Sequence, residues 1–312
     1  MKEKCKDLLQ QALDSVSAVM VGRDEEIRLI LTACLAGGHV LLEDLPGQGK
    51  TMMVKAFAKT LGLPFKRIQF TPDLLPSDLT GIQFYNQKDG DFIFREGPLF
   101  ANVVLADEVN RATPRTQSAL LEAMEEQQVT SDGITRPLPL PFMVLATQNP
   151  IETYGTFPLP EAQMDRFALR LSMGYPSVDE EMQILLRNEG NILKEARCVM
   201  TGEELMEILD SVRSVTIREE VLRYLVEVTQ STRKDPRIRT GVSPRGAVVL
   251  HRLAKAYAAL SGRSYIIPED IRTLAPHAFN HRIFVRDNET VDGLSLLVRD
   301  VISTVPVPVE SL

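Results

Sequence analysis

Glu43-Asp44-Leu45-Pro46-Gly47-Gln48-Gly49-Lys50-Thr51 is the stretch that decides how the rest of this 312-residue chain is read. The apolar run His39-Val40-Leu41-Leu42 leads into it, and Met52-Met53-Val54-Lys55-Ala56-Phe57-Ala58-Lys59 follows. A strand, a glycine-bearing turn, Gly-Lys-Thr and then a helix is the order of a phosphate-binding loop. Backbone N–H groups of such a turn, with the positive end of the helix behind them, attract phosphates. On this reading Pro46, Gly47, Gln48, Gly49, Lys50, Thr51 and Met52 contact a nucleotide. Lys50 reaches its β- and γ-phosphates and the Thr51 hydroxyl ligates Mg²⁺. The usual pattern opens on glycine where this chain has Asp44. For this motif alone, the weaker alternative is a turn capping an ordinary α/β helix.

Two further strand ends bear on that choice. Val103-Val104-Leu105-Ala106 is a continuous apolar run, as expected of a parallel strand covered on both faces, and it ends in Asp107-Glu108. Asp107 is placed to hold Mg²⁺ through its water shell, and Glu108 to polarise a water for attack on the γ-phosphate. A second buried run, Phe142 to Ala146, leads to Asn149. An Asn-Pro after a strand is by itself a turn. Following a phosphate loop and an acidic strand, its neutral amide reads as a group that hydrogen-bonds the attacking water or the γ-phosphate.

Composition narrows the class. Hydrophobic residues make up 44% of the chain, enough for sizeable cores, and the length allows two domains. The net charge of −7 gives no global electrostatic case for nucleic acid or an anionic membrane. No apolar run approaches the roughly 20 residues of a membrane span, and the charged Met1-Lys2-Glu3-Lys4-Cys5-Lys6 is unlike a signal peptide. Cys5, Cys34 and Cys198 are odd in number and far apart, which suits free thiols in a reducing compartment, so a cytoplasmic location is expected. His277 and His281 stand four apart, but without the carboxylate that zinc-hydrolase spacing requires.

Along the chain, helical spacing over residues 3–19 and 24–35 precedes the loop, with a break at Val21-Gly22-Arg23. Strands are expected at 65–70, 103–108, 142–146 and 167–173, and a helix over 114–126. Ile82-Gln83-Phe84-Tyr85 and Asp91-Phe92-Ile93-Phe94 flank a polar turn, and Asp132-Gly133 separates Val129-Thr130 from Ile134-Thr135; both read as hairpins. After Gly174-Tyr175-Pro176 strand patterns nearly vanish. Residues 1–176 therefore read as an α/β nucleotide-binding core and 177–312 as an all-helical second domain.

In combination these stretches resemble the MoxR family of AAA+ ATPases. The resemblance rests on 43–51, Leu105-Ala106-Asp107-Glu108-Val109-Asn110-Arg111-Ala112, the helix Gln117 to Glu126, Ala146-Thr147-Gln148-Asn149-Pro150, Leu159 to Phe167 and Gly241-Val242-Ser243-Pro244-Arg245. It implies a P-loop NTPase core, with a parallel five-stranded sheet between helices and two hairpin insertions, followed by a smaller all-α lid. It further implies ATP and Mg²⁺ as ligands, with Asn149 as sensor 1, Arg166 as an arginine finger toward a neighbouring subunit and Arg245 as sensor 2. Val21 and Gly22 resemble the segment that contacts adenine. Arg111 reads as an interface residue or as half of a surface salt bridge. By resemblance the assembly is a homohexameric ring that remodels a protein client, beside a von Willebrand factor A-domain partner. A nucleotide-binding switch or scaffold and a nucleic-acid motor are the alternative readings.

Overall fold

The computed structural model describes residues 3–43, 48–88, 90–149, 155–187, 192–285 and 290–308. Helices α1 (Glu3–Ser17) and α2 (Asp24–Leu35) lead to β1 (Val40–Glu43), and α3 (Lys50–Thr60) and β2 (Phe65–Gln69) follow. Next come α4 (Pro76–Thr80), the hairpin β3 (Gly81–Asn86) and β4 (Asp91–Glu96), β5 (Val103–Asp107) and α5 (Pro114–Glu126). A second hairpin, β6 (Gln128–Ser131) and β7 (Ile134–Pro137), precedes β8 (Met143–Gln148), α6 (Glu161–Met164) and β9 (Leu169–Leu171). Beyond these lie α7 (Val178–Arg187), α8 (Gly202–Arg213), α9 (Glu219–Lys234), β10 (Ile238–Thr240), α10 (Pro244–Leu260), α11 (Pro268–Phe279), β11 (Phe284–Val285) and α12 (Val291–Ser303).

The main sheet is five-stranded, in the order β2-β5-β8-β1-β9, and its strand pairs are parallel. Alternation within its strands shows why the apolar runs are continuous. In β5, Val103 and Leu105 enter one core while Val104 and Ala106 enter the other, and β8 divides Met143 and Leu145 from Val144 and Ala146 in the same way. Each face is therefore covered, as a parallel sheet requires. Both expected hairpins form as antiparallel pairs outside the sheet.

The helices after residue 177 do not build a core of their own. Leu250, Leu253 and Ala254 of α10 belong to the same buried cluster as Ile27 and Leu31 of α2 and Leu9 of α1. Among the described residues this half is helical apart from a short antiparallel contact between β10 and β11 and an isolated parallel bridge between Thr216 and Tyr265, neither of which the sequence reading foresaw. All three cysteines are free, Cys5 and Cys34 buried and Cys198 exposed. Among the described residues no helix is long and apolar enough to cross a membrane.

Candidate active site

Parallel pairing brings the critical strand ends to one edge. Glu43 at the end of β1 is in register with Gln148 of β8, and Asp107 at the end of β5 is in register with Gln69 of β2. Described residues that follow β1, β5 and β8 therefore line one cleft of about 560 Å³, a size typical of small-ligand sites. Gln48, Gly49, Lys50, Thr51 and Met52 line one side of it, and Asp107, Glu108 and Asn149 the other. Gly49 takes φ 77° at the N-terminus of α3, a left-handed conformation that glycine adopts without steric cost, and this aims the first turn of the helix at the cleft. Pro46 and Gly47, also expected at the nucleotide, lie outside the described residues.

The two carboxylates are held by Thr147, Arg67 and Gln69, which the sequence reading passed over, and by Arg111, which it read as an interface residue or as half of a surface salt bridge. The Thr147 hydroxyl donates to Asp107 Oδ1 at 2.6 Å and accepts the Glu108 backbone N–H at 2.9 Å. Arg67 of β2 donates to Asp107 Oδ2 from Nε at 3.1 Å and from Nη2 at 2.6 Å. Two residues along the same strand, Gln69 Nε2 donates to Glu108 Oε2 at 2.8 Å, and Arg111 Nη1 reaches that oxygen at 3.2 Å. The signal for Arg67 and Gln69 was their two-residue spacing at the end of a strand, which puts both on one face. Glu108 itself is left-handed at φ 58°. For a non-glycine residue this conformation costs on the order of 1–3 kcal/mol and persists where surroundings over-determine it. The Thr147 bridge does so here.

A phosphate chain with Mg²⁺ fits this donor set. Lys50 and Lys55 supply ammonium charge, while Thr51 and Asp107 offer the oxygen ligands that Mg²⁺ prefers. Val21 and Gly22 are not among the described residues lining the cleft. They adjoin it through Met20, whose methyl group packs against Gly49, and the Glu180 carboxylate of α7 lies against Gly22.

Arg166 and Arg245 come together elsewhere. Arg166 precedes β9 and so stands at the amino edge of the sheet, across from the cleft. Even the four-residue β1 separates the two edges by roughly 13 Å. Glu125 at the end of α5 clamps both arginines, Oε2 at 2.9 Å from Arg166 Nε and Oε1 at 3.0 Å from Arg245 Nη2. The hydrogen bond from Arg245, with Arg166 beside it, holds the Glu125 carboxyl below its usual range. These residues line a second cleft of about 320 Å³ with Asp165 and Arg252.

Other singled-out residues have local partners. His281 Nε2 meets the Phe167 carbonyl oxygen at 2.9 Å, and among the described residues no group of three or more His, Cys, Asp or Glu could hold a metal. On the hairpin β3–β4, Phe84, Tyr85 and Phe92 are exposed, and the Tyr85 and Phe92 rings meet edge to face at 5.4 Å.

Residues 39–169 match the family described as ATPase family associated with various cellular activities (AAA), and residues 230–295 match the AAA lid domain. The uncharacterized protein YeaC of Bacillus subtilis is 49% identical, over 99% of this chain and 98% of its own. Chaperone MoxR1 of Mycobacterium tuberculosis is 38% identical over 96% of this chain and 82% of its own. The crystal structure of a presumed ATPase from Cytophaga hutchinsonii superposes with a TM-score of 0.89 at 39% identity, covering 98% of this chain and 96% of that one.

Proposed function

The chain belongs to the MoxR family of AAA+ ATPases, and from that premise we propose that it hydrolyses ATP with Mg²⁺ at a site completed by a second subunit. Lys50 holds the β- and γ-phosphates, and Thr51 and Asp107 hold the metal. Glu108 draws a proton from the attacking water, and Asn149 orients that water or the γ-phosphate. Arg166, with Arg245 beside it, enters from the neighbouring subunit and offsets charge that builds up during phosphoryl transfer. An arginine supplied this way is worth about 10³–10⁵ in rate.

The observation that carries the reading is the separation of the parts. Acid, base and amide share one cleft with the loop, while both arginines sit at the opposite edge of the sheet, out of reach of their own cleft. A closed ring repeats one head-to-tail interface, which brings the arginine edge of each subunit to the nucleotide edge of the next. Six subunits are the expected number. Turnover would drive chaperone-like remodelling of a protein client, contacted by the exposed aromatic side chains of β3–β4, with a von Willebrand factor A-domain protein as partner.

Glu108→Gln tests the chemistry. It is expected to bind ATP with unchanged affinity, measured by calorimetry or a fluorescent analogue, and to lose at least about 10²-fold in turnover. Turnover by wild-type protein should also rise more steeply than linearly with protein concentration. Strict proportionality down to concentrations at which only monomers are detected would contradict a shared site.

A further inference from the structure

Residues 165–168, which carry Arg166, form no regular element between α6 and β9, yet they are held at many points. The holder is Asn280-His281-Arg282, three buried residues that follow α11. Arg282 Nε donates to Asp165 Oδ1 at 2.5 Å. Its Nη2 donates to the backbone oxygens of Asp165 at 2.9 Å and Phe167 at 2.6 Å, and its Nη1 to that of Ala168 at 3.3 Å. One guanidinium thus grips the backbone on both sides of Arg166, a use that its rigid planar fork suits and an ammonium group could not match.

The same side chain also touches the turn that carries Arg245. A Cβ on Gly246 would run into Val242 Cγ1 and lie 3.0 Å from Arg282 Cδ, so the glycine lets the first turn of α10 seat against both Val242 and the Arg282 stem. Asp165 serves both sides, since its Oδ2 lies 3.8 Å from Arg245 Nε while its Oδ1 takes Arg282. Arg282 is buried, which disfavours its charge, and Asp165 opposes that effect. A buried arginine in this position ties two phosphate-directed arginines to one support.

We infer that Arg282 and Asp165 are positioning residues for the trans-acting pair, fixing Arg166 and Arg245 in the arrangement that meets a neighbour's nucleotide. This rests on the composite site proposed above. It goes further in giving Arg282 and Asp165, which contact no nucleotide, a role in the catalysis of the adjacent subunit instead of their own. A second thread runs the other way. Arg170 of β9 pairs with Glu43 at 3.3 Å and donates to the Asn280 backbone oxygen at 2.6 Å, so Asn280 is linked through Arg170 to the strand that enters the phosphate loop.

The test uses full-length subunits mixed in defined pairs. Glu108→Gln lacks the base but keeps the arginines, and Arg166→Ala has the reverse defect, so turnover in their mixture arises where an Arg166→Ala cleft meets a Glu108→Gln donor. Arg282→Lys is added either to the donor or to the acceptor. On the donor it is expected to lower turnover by at least about tenfold, as small misplacements of catalytic groups do, with KM for ATP unchanged. On the acceptor, which contributes only its own cleft, the change is expected to stay under about twofold on the same principle. Asp165→Asn, nearly isosteric, should repeat the pattern, with thermal melting and subunit exchange followed for both variants. Equal losses on the two sides, or no loss on the donor, would overturn the positioning role. Absence of turnover from the parent mixture, with wild type active, would instead overturn the composite site and this inference with it.

Discussion

Thr147 illustrates how much of the chemistry depends on a residue that touches neither nucleotide nor water in the proposed mechanism. Its hydroxyl donates to Asp107 and accepts from Glu108, so it sets the direction of both acids at once. Thr147→Val keeps the shape and removes both bonds, leaving a left-handed Glu108 without its backbone partner. We expect a stability loss of about 1–3 kcal/mol by denaturant titration, together with a fall in kcat larger than the rise in KM. An unchanged kcat would mean that Arg67, Gln69 and Arg111 suffice to orient the pair. Glu125 is the corresponding residue at the arginine edge. Glu125→Gln should release Arg166 and Arg245 from their clamp, and steady-state kinetics should show an altered kcat with ATP affinity in the cleft intact.

At the scale of elements, the central parallel strands were legible as short continuous apolar runs that end in polar residues, and both hairpins by turns that carry Asp, Asn and Gly. Asp107, Glu108 and Asn149 were legible for a related reason, since a polar residue ending a buried strand must emerge at the sheet edge. Arg67, Gln69 and Thr147 were not singled out. Their meaning depends on which strands are neighbours, and the order β2-β5-β8 is a tertiary fact that no local pattern encodes. The short β10–β11 pair was invisible because two or three residues carry no readable period. The packing of α10 on α2 was equally out of reach, since an amphipathic helix declares a buried face without naming what covers it. That packing yields a stability prediction. Leu250→Ala, in the fully buried stripe of α10, should cost about 2–5 kcal/mol and should destabilise α2 along with the lid. Hydrogen exchange would show protection falling in both regions. A loss confined to residues after 177 would contradict a continuous core.

Across the whole molecule, the four histidines point to acid sensitivity. His39, buried between the Met124 carbonyl and the Val144 amide, has its pKa pushed down to about 4 by desolvation. His251, His277 and His281 are lowered too, each first by burial. A histidine near its ordinary value in the unfolded chain takes a proton below about pH 6.5, while the folded protein keeps these rings neutral. The unfolded state then binds more protons, so stability falls as pH drops from about 6.5 toward 4. His39 alone contributes about 3 kcal/mol of that loss once pH is below its folded value. The melting temperature should therefore decline across this window, before the carboxylates add their own effect at lower pH, and His39→Gln should flatten the slope. A melting temperature constant from pH 7 to 5 would contradict the buried neutral state.

Hydrolysis by the proposed mechanism requires one ATP site to be built from two chains. The direct measurement is ATP turnover by Arg166→Ala and Glu108→Gln subunits, each assayed alone and then mixed at equal concentration under conditions in which wild type is active. Each variant should be nearly inactive by itself, and the mixture should recover turnover as intact clefts meet intact arginines. A mixture no more active than its separate components, with subunit exchange demonstrated, would contradict the shared site.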